Sequence, residues 1–482
     1  MKIDAKHLKT SDAVRKLQSS LHAKAKTEPS YRFYSLWDKV CRRDFLAEAF
    51  RRCRRNGGAP GVDAGDFAQI ETAGLESWLG KLQEELCSKQ YRAKPLLRVW
   101  IPKSNGGERP LGIPTVRDRV VQMAMVLALG PIFEADLCEE QMGFRPGRDA
   151  KTAVRLVYYQ VRQKGRQEVV DADLRDYFNT IPHGALMKSL SRRVADGQVL
   201  SVITQWLEAP VEERLPNGST VRTTQARDTG RGTPQGGVVS PLLANVYFRR
   251  FILGWKQQGY EKACAAVIVN YADDFVICCP PGKGALARRA MTQIMEKIGL
   301  KVNEEKTRVV LVPRESFDFL GYTIGRFYGQ GGKPYIGTHP SKKAILRLMR
   351  EIHEQTSSQW NASEPETRVT MLNQMLRGWA GYFNQGPVLG IYRRIQNYAD
   401  RRLRRWLMRR RQQRGTGYRQ YPDEYLYETL GLFRLPRSPE DLSKAKAGNS
   451  EMRAGCGKAA RPVRGAGTGN GATGENEAPA LW

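Results

Sequence analysis

With 78 Lys and Arg against 49 Asp and Glu, this 482-residue chain carries a net charge of +29. An excess of that size points to a polyanionic partner, most simply nucleic acid. No apolar run is long enough to span a membrane, no apolar core follows the N-terminus, and the eight scattered cysteines form no C-x-x-C pair, so a membrane protein, a secreted protein, a zinc module and a disulfide framework are all unexpected.

The length suits two or three domains. Residues 1–60 read as a basic helical extension, in which Arg42, Arg43, Arg51, Arg52, Arg54 and Arg55 interleave with Phe45, Leu46, Ala49 and Phe50. The glycines and proline of residues 56–61 break it. A second amphipathic helix follows at about 72–89, on Leu75, Leu79, Leu82 and Leu86. Arg98 to Pro114 reads as two short strands around a Gly106-Gly107 turn. Lys103 and Arg109 flank that turn, one on each strand, so both can point at one anion. A point charge beside a guanidinium fork suits a triphosphate. Arg117 to Leu129 is a helix with an apolar body. Gly143 to Arg148 is a loop carrying Arg145 and Arg148, and a helix follows at about 149–163.

Val169, Val170 and Leu174 place a strand, with Asp171, Asp173 and Asp176 crowded at its end. Asp171 and Asp173 lie two residues apart on one strand face. Next, Arg231 to Phe248 is a Gly-rich loop opening an apolar helix. Gln235, Gly236 and Gly237 sit where backbone can approach a base or phosphate closely. The sharpest feature comes next: Tyr271-Ala272-Asp273-Asp274, between the apolar runs 266–270 and 275–279. This is strand, tight turn, strand, with two carboxylates at the tip. Carboxylate oxygens are what a hard cation such as Mg2+ prefers, and Asp171 or Asp173 can supply a third ligand.

A helix over 284–298 and strands over 309–312 and 317–324 continue the alternation. From about 340 the pattern is wholly helical. Residues 393–419 hold eleven Arg and one acid, Asp400; so one-sided a stretch suits phosphate neutralisation. Tyr398, Trp406 and Tyr418 are interleaved and can stack on bases as well as pack. From Ser438 onward apolar residues thin out, and 438–482 is expected to be disordered.

Three acids, a phosphate-grasping hairpin and a basic helical module point to metal-assisted phosphoryl transfer. Such chemistry uses two Mg2+ roughly 3.5–4 Å apart. The ordered blocks closely resemble those of bacterial group II intron-encoded reverse transcriptases: residues 56–63, 101–114, 143–148, 173–179, 233–237, 271–274, 300–307 and 319–322. Arg377 to Phe383 is similar to the family's maturase region. The resemblance implies an α+β, right-hand polymerase, with fingers and palm built of antiparallel sheet plus helices, followed by an all-α thumb/maturase region. Fingers are expected at 61–165, palm at 166–335 and thumb/maturase at 336–437.

It implies Asp173, Asp273 and Asp274 as catalytic metal ligands, with Asp173 chosen because the family's aromatic falls five positions later, at Phe178. That ring resembles the steric gate against a 2′-hydroxyl. Lys103, Arg109, Gln235, Gly236 and Lys306 match nucleotide-binding positions. Arg145, Arg148, Arg377, Arg401, Arg404, Arg405 and Arg409 are the expected RNA contacts. The implied cofactor is a pair of Mg2+ ions, with Mn2+ as an in vitro substitute. The implied partners are intron RNA, an RNA template with a DNA primer, dNTPs and a DNA target site, in a bacterial cytoplasm. Asn179 departs from the Asp common there, which is not a ligand. The tail lacks a Cys/His-rich endonuclease pattern, so target nicking is not expected. A splicing-only maturase and a domesticated or defence polymerase are the alternative readings.

Overall fold

The computed structural model describes residues 11–102, 107–215, 217–329 and 331–443. Lys103 and the tail from 444 onward lie outside the described residues. In chain order, helices α1 (Asp12–Thr27), α2 (Trp37–Val40), α3 (Arg43–Asn56) and α4 (Phe67–Cys87) precede strands β1 (Leu96–Pro102) and β2 (Glu108–Ile113). Helices α5 (Val116–Glu134) and α6 (Ala150–Arg162) lead to strand β3 (Glu168–Ala172). Then come α7 (Tyr177–Thr180), α8 (His183–Leu190), α9 (Gly197–Leu207), β4 (Val211–Arg214), β5 (Thr220–Thr223), α10 (Gln225–Thr229), α11 (Ser240–Gln257) and α12 (Tyr260–Ala263). They are followed by β6 (Val267–Tyr271), β7 (Asp274–Cys279), α13 (Gly284–Lys297), β8 (Arg308–Leu311), β9 (Phe317–Phe319), β10 (Tyr322–Tyr328) and β11 (Pro334–Pro340). Helices α14 (Lys342–Gln355), α15 (Pro365–Tyr382) and α16 (Leu389–Arg410) complete an α+β chain with a helical C-terminal region.

The central sheet runs β6-β7-β3-β8, antiparallel throughout. Side chains alternate across a strand, and here both faces are buried. Val170, Ala172, Ile268, Phe275 and Ile277 join one hydrophobic core with α5, α11 and α13. Val169, Val269, Val276, Cys278 and Val310 join a second core with α6, β9, β10 and α14–α16. Two buried faces are why the strands read as unbroken apolar runs. The rings of Phe248 and Phe251 stand 5.4 and 5.6 Å from Phe275; truncating such a buried ring to Ala costs about 3–5 kcal/mol.

A second sheet runs β2-β1-β4-β5. Chain that follows β3 thus returns to lie beside the first hairpin, β4 parallel to β1 at Leu96 and Val211. The short, charged strands β4 and β5 carry no apolar alternation, so they were not expected from sequence. The third sheet is β11-β10-β9. The single strand expected over 317–324 is two strands: Leu320 and Gly321 both take positive φ, 50° and 77°, and turn the chain back on itself.

Three further boundaries differ from expectation. The basic N-terminal helices are not a separate extension: Val14, Leu21, Phe45 and Phe50 belong to the first core, and Gln18 Nε2 donates to Leu127 O at 2.9 Å. Helix α4 starts at Phe67 because Asp66 and Gln69 form a reciprocal capping box there. Residues 438–443 depart from the expected disorder. Ser438 Oγ accepts from Asp441 N, Asp441 returns a carboxylate to Ser438 N, and Leu442 packs on the second core.

Candidate active site

Strands β6 and β7 pair down to Tyr271 and Asp274, so Ala272 and Asp273 form a two-residue turn. Such a turn demands positive φ, and buried Ala272 adopts φ 60°. Strand β3 pairs with β7 as far as Ala172 and Phe275. One step further along that register come Asp173 and Asp274, on adjacent strands at the same end of the sheet.

Asp273 is half-buried and Asp274 reaches solvent, but protein crowds both carboxylates on most sides. Burial raises the Asp273 carboxyl above its usual range; Arg109 lowers it and Asp173 raises it further. Asp274 is pushed up to about 7, first by burial, then by the charges of Asp273, Asp173 and Asp171. Asp173 Oδ2 accepts from Asn303 Nδ2 at 3.0 Å and lies 3.7 Å from Lys306 Nζ. Its backbone is fastened by Thr307 Oγ1 and Asn303 N. Asp171 has its own counter-ion, Arg308 Nε, at 3.4 Å. Among the described residues no three His, Cys, Asp or Glu side chains converge as a ready-made metal cluster; the Asp173 carboxylate is turned toward Asn303 and Lys306 instead. In chemistry the three acids still fit divalent cations: all donors are hard oxygens, and burial and repulsion destabilise two of them as bare anions.

The surrounding groups are stitched to one another. Gly112 N donates to Gln235 O at 2.7 Å, and Thr233 N donates to Phe178 O at 2.7 Å. Gly236 takes φ 111°, and a Cβ there would stand 2.7 Å from Gly112 O. The Gly-rich loop therefore joins the end of β2, which carries Arg109, to the segment carrying Phe178. Arg109 acts electrostatically on both turn acids.

The arginines separate into two kinds. Arg148, Arg377, Arg401, Arg405 and Arg409 are half-buried or exposed; Arg148 donates to Glu139 O, Arg409 to Thr356 O, and Arg377 lies over Phe433. Arg145 and Arg404 depart from the RNA-binding expectation because both are buried. Arg145 pairs with Glu134 and donates to Cys138 O and Gln141 O. Arg404 donates to Tyr421 O at 2.8 Å, pairs with Asp423 and lies under the Tyr418 ring. Helix rotation turns Arg404 inward on α16, and Arg145 turns inward from the loop between α5 and α6; each fastens a loop. Trp406 is fully buried and packs, while Tyr418 remains exposed. Sequence reasoning missed Asn303 and Asn270. The only signal for Asn270 was an amide standing inside an apolar strand.

A family model described as "Reverse transcriptase (RNA-dependent DNA polymerase)" matches residues 101–324, and one described as "Group II intron, maturase-specific domain" matches residues 345–422. The chain is 33% identical over 367 residues to "Protein YkfC" of Escherichia coli (strain K12), covering 69% of this chain and 93% of that protein. It is 30% identical over 287 residues to "Group II intron-encoded protein LtrA" of Lactococcus lactis subsp. cremoris, covering 59% of this chain and 44% of LtrA. It is 27% identical over 299 residues to "Putative COX1/OXI3 intron 1 protein" of Saccharomyces cerevisiae, covering 51% of this chain and 34% of that protein. The chain therefore spans less than half the length of the latter two relatives.

Proposed function

The chain belongs to the group II intron-encoded reverse transcriptases and maturases, and on that premise we propose that it extends a DNA primer on an RNA template with Asp173, Asp273 and Asp274 as the catalytic acids. The observation that carries this is the register of β3 on β7, which puts Asp173 next to Asp274 at the end where the turn presents Asp273. Asp173, Asp273 and Asp274 would hold two Mg2+, or Mn2+ in vitro, which when bound activate the primer 3′-hydroxyl and neutralise the leaving pyrophosphate. Arg109 and Lys306, each close to an acid, hold the incoming triphosphate, with Lys103 as a further contact. The Phe178 ring lies under the sugar and excludes a 2′-hydroxyl. Gln235 and Gly236 bring backbone close to nucleotide and template.

The sheet β2-β1-β4-β5 with its helices serves as fingers, the central sheet as palm, and α14–α16 as thumb and maturase module. That module grips intron RNA through the exposed arginines of α16, assisting splicing, with retrohoming into a DNA target as the mobility reaction. No helix among the described residues is long and apolar enough to cross a membrane; the reading places the protein in a bacterial cytoplasm. The test is primer extension on an RNA template with Mg2+. Wild type should extend, and D273N and D274N should not, while both variants still bind intron RNA. Wild-type protein that extends no primer on any RNA ends the polymerase reading. Splicing without extension would leave only the maturase.

A further inference from the structure

We infer that a buried amide ladder beneath the acid turn, formed by Asn270, Gln141 and Asn245, sets where the Asp273 and Asp274 carboxylates stand, and that Asn270 is its positioning residue. The inference rests on the catalytic reading of the turn but concerns residues that reading does not use. Asn270 is fully buried in β6, one residue before the tetrad. Its Nδ2 donates to Ala272 O at 2.8 Å and lies 3.4 Å from Asp274 O. One amide thus ties both sides of the turn together across Asp273. Both partners are carbonyl oxygens, so the NH2 end must face them.

The ladder continues away from the turn. Asn270 N donates to Glu140 O at 2.9 Å, and Met142 N donates to Asn270 O at 2.8 Å. Strand β6 is the edge of its sheet, and this short bridge covers the edge at that position. Fully buried Gln141 donates through Nε2 to Asn245 O at 2.8 Å, and Asn245 Nδ2 donates to Gly143 O at 2.8 Å. Gly143 then presses its backbone on the turn: a Cβ there would overlap Ala272 N and stand 3.0 Å from the Tyr271 carbonyl carbon. Buried Arg145 fastens the same loop through Gln141 O and Cys138 O, at 2.8 and 2.6 Å.

The physical need is plain. Ala272 holds a left-handed backbone that a residue with a Cβ adopts only when its surroundings impose it. Directly after it, two consecutive carboxylates, Asp273 and Asp274, repel each other and resist burial. Without an outside restraint the turn would relax and carry the carboxylates with it. An apolar side chain in place of Asn270 could fill the space but could not donate to the two carbonyls, and a displacement of about 1 Å at reacting groups costs about 10²-fold in rate.

The test compares full-length wild type, N270L, N270S and D273N. The readouts are extension rate, Mg2+ concentration for half-maximal rate, melting temperature with and without Mn2+, and intron-RNA affinity. N270L should lose about 10- to 100-fold in rate and need several-fold more Mg2+. The rise in melting temperature on adding Mn2+ should shrink, with RNA affinity and dNTP KM unchanged. N270S keeps a donor and should fall between wild type and N270L. A wild-type Mg2+ requirement and Mn2+ thermal shift in N270L overturn the inference, as does a rate loss that only follows the drop in melting temperature. If N270L fails to fold, N270S decides by the same readouts. Persistent extension by D273N would instead overturn the catalytic reading itself.

Discussion

At the end of the central sheet strand register sets Asp173 beside Asp274, and burial and repulsion hold the Asp273 and Asp274 carboxyls above their usual range. Along α16 and the segment after it, eleven guanidiniums sit within residues 393–419, yet helical spacing spreads those of α16 over separate directions. Arg402 and Arg409 donate to carbonyls at the C-terminal end of α14, His353 and Thr356, where a cation is favoured by the helix dipole. Arg410 pairs with Glu364, and Arg404 is buried against Asp423. Arg393, Arg394, Arg401, Arg405, Arg411, Arg414 and Arg419 remain exposed. Even Asp400, the single acid there, is taken inward by Gln396 and Tyr427. The acidic centre is therefore an arrangement in which burial and mutual repulsion work against the charged carboxylates. The basic region is a mostly relaxed face, with a few arginines used as fasteners.

That contrast can be broken most directly at the acids. D273N or D274N should lower primer extension by on the order of 10³-fold or more, since metal charge stabilisation is worth several kcal/mol. Intron-RNA binding should stay within twofold in a filter-binding assay.

Within the basic region, neighbouring arginines should behave oppositely. R404Q leaves the buried Tyr421 carbonyl without its donor and takes the partner from solvent-exposed Asp423, and should destabilise the C-terminal region by about 1–3 kcal/mol in denaturant unfolding. R405Q should change stability by less than about 0.5 kcal/mol and weaken RNA binding several-fold, reducing the salt slope by about 1. Equal effects from the two would refute the division into fasteners and RNA face.

At the rim of the acidic centre, F178A should relax discrimination against ribonucleotides by roughly 10-fold or more, measured as the ratio of kcat/KM for dNTP and rNTP. The rate with dNTP should change less.

The smallest effect tests the strain itself. The raised carboxyls of Asp273 and Asp274 mean that the folded, metal-free protein keeps protons that the unfolded chain releases. The stability they contribute is present below the unfolded value of about 4 and is lost as pH rises toward the folded value of about 7 for Asp274. Melting temperature in EDTA should therefore fall between these pH values more steeply for wild type than for D274N. Parallel curves would show that the turn is not strained.

Much of the acid turn was legible because the signal is local. β-branched runs flanking Tyr271-Ala272-Asp273-Asp274 dictate a hairpin, and a two-residue turn places the acid pair at its tip. The amphipathic helices were legible for the same reason, although their ends moved where a cap such as Asp66 decided the start. The hairpin β4–β5 was not legible, because four-residue charged strands become strands only when β1 offers its edge.

The amino-acid order alone determined the elements flanking the site, the charge of the partner and the identity of the tip acids, since periodicity, turn chemistry and composition act over a few residues. Only the tertiary structure decided that Asp173 stands beside Asp274 while Asp171 is held by Arg308, that Arg404 turns inward while Arg405 does not, and that Asn270 spans the turn. Those outcomes depend on strand register, helix rotation and close backbone approach between segments more than a hundred residues apart, such as Gly143 on Ala272, and such pairings leave no trace in any short stretch of chain.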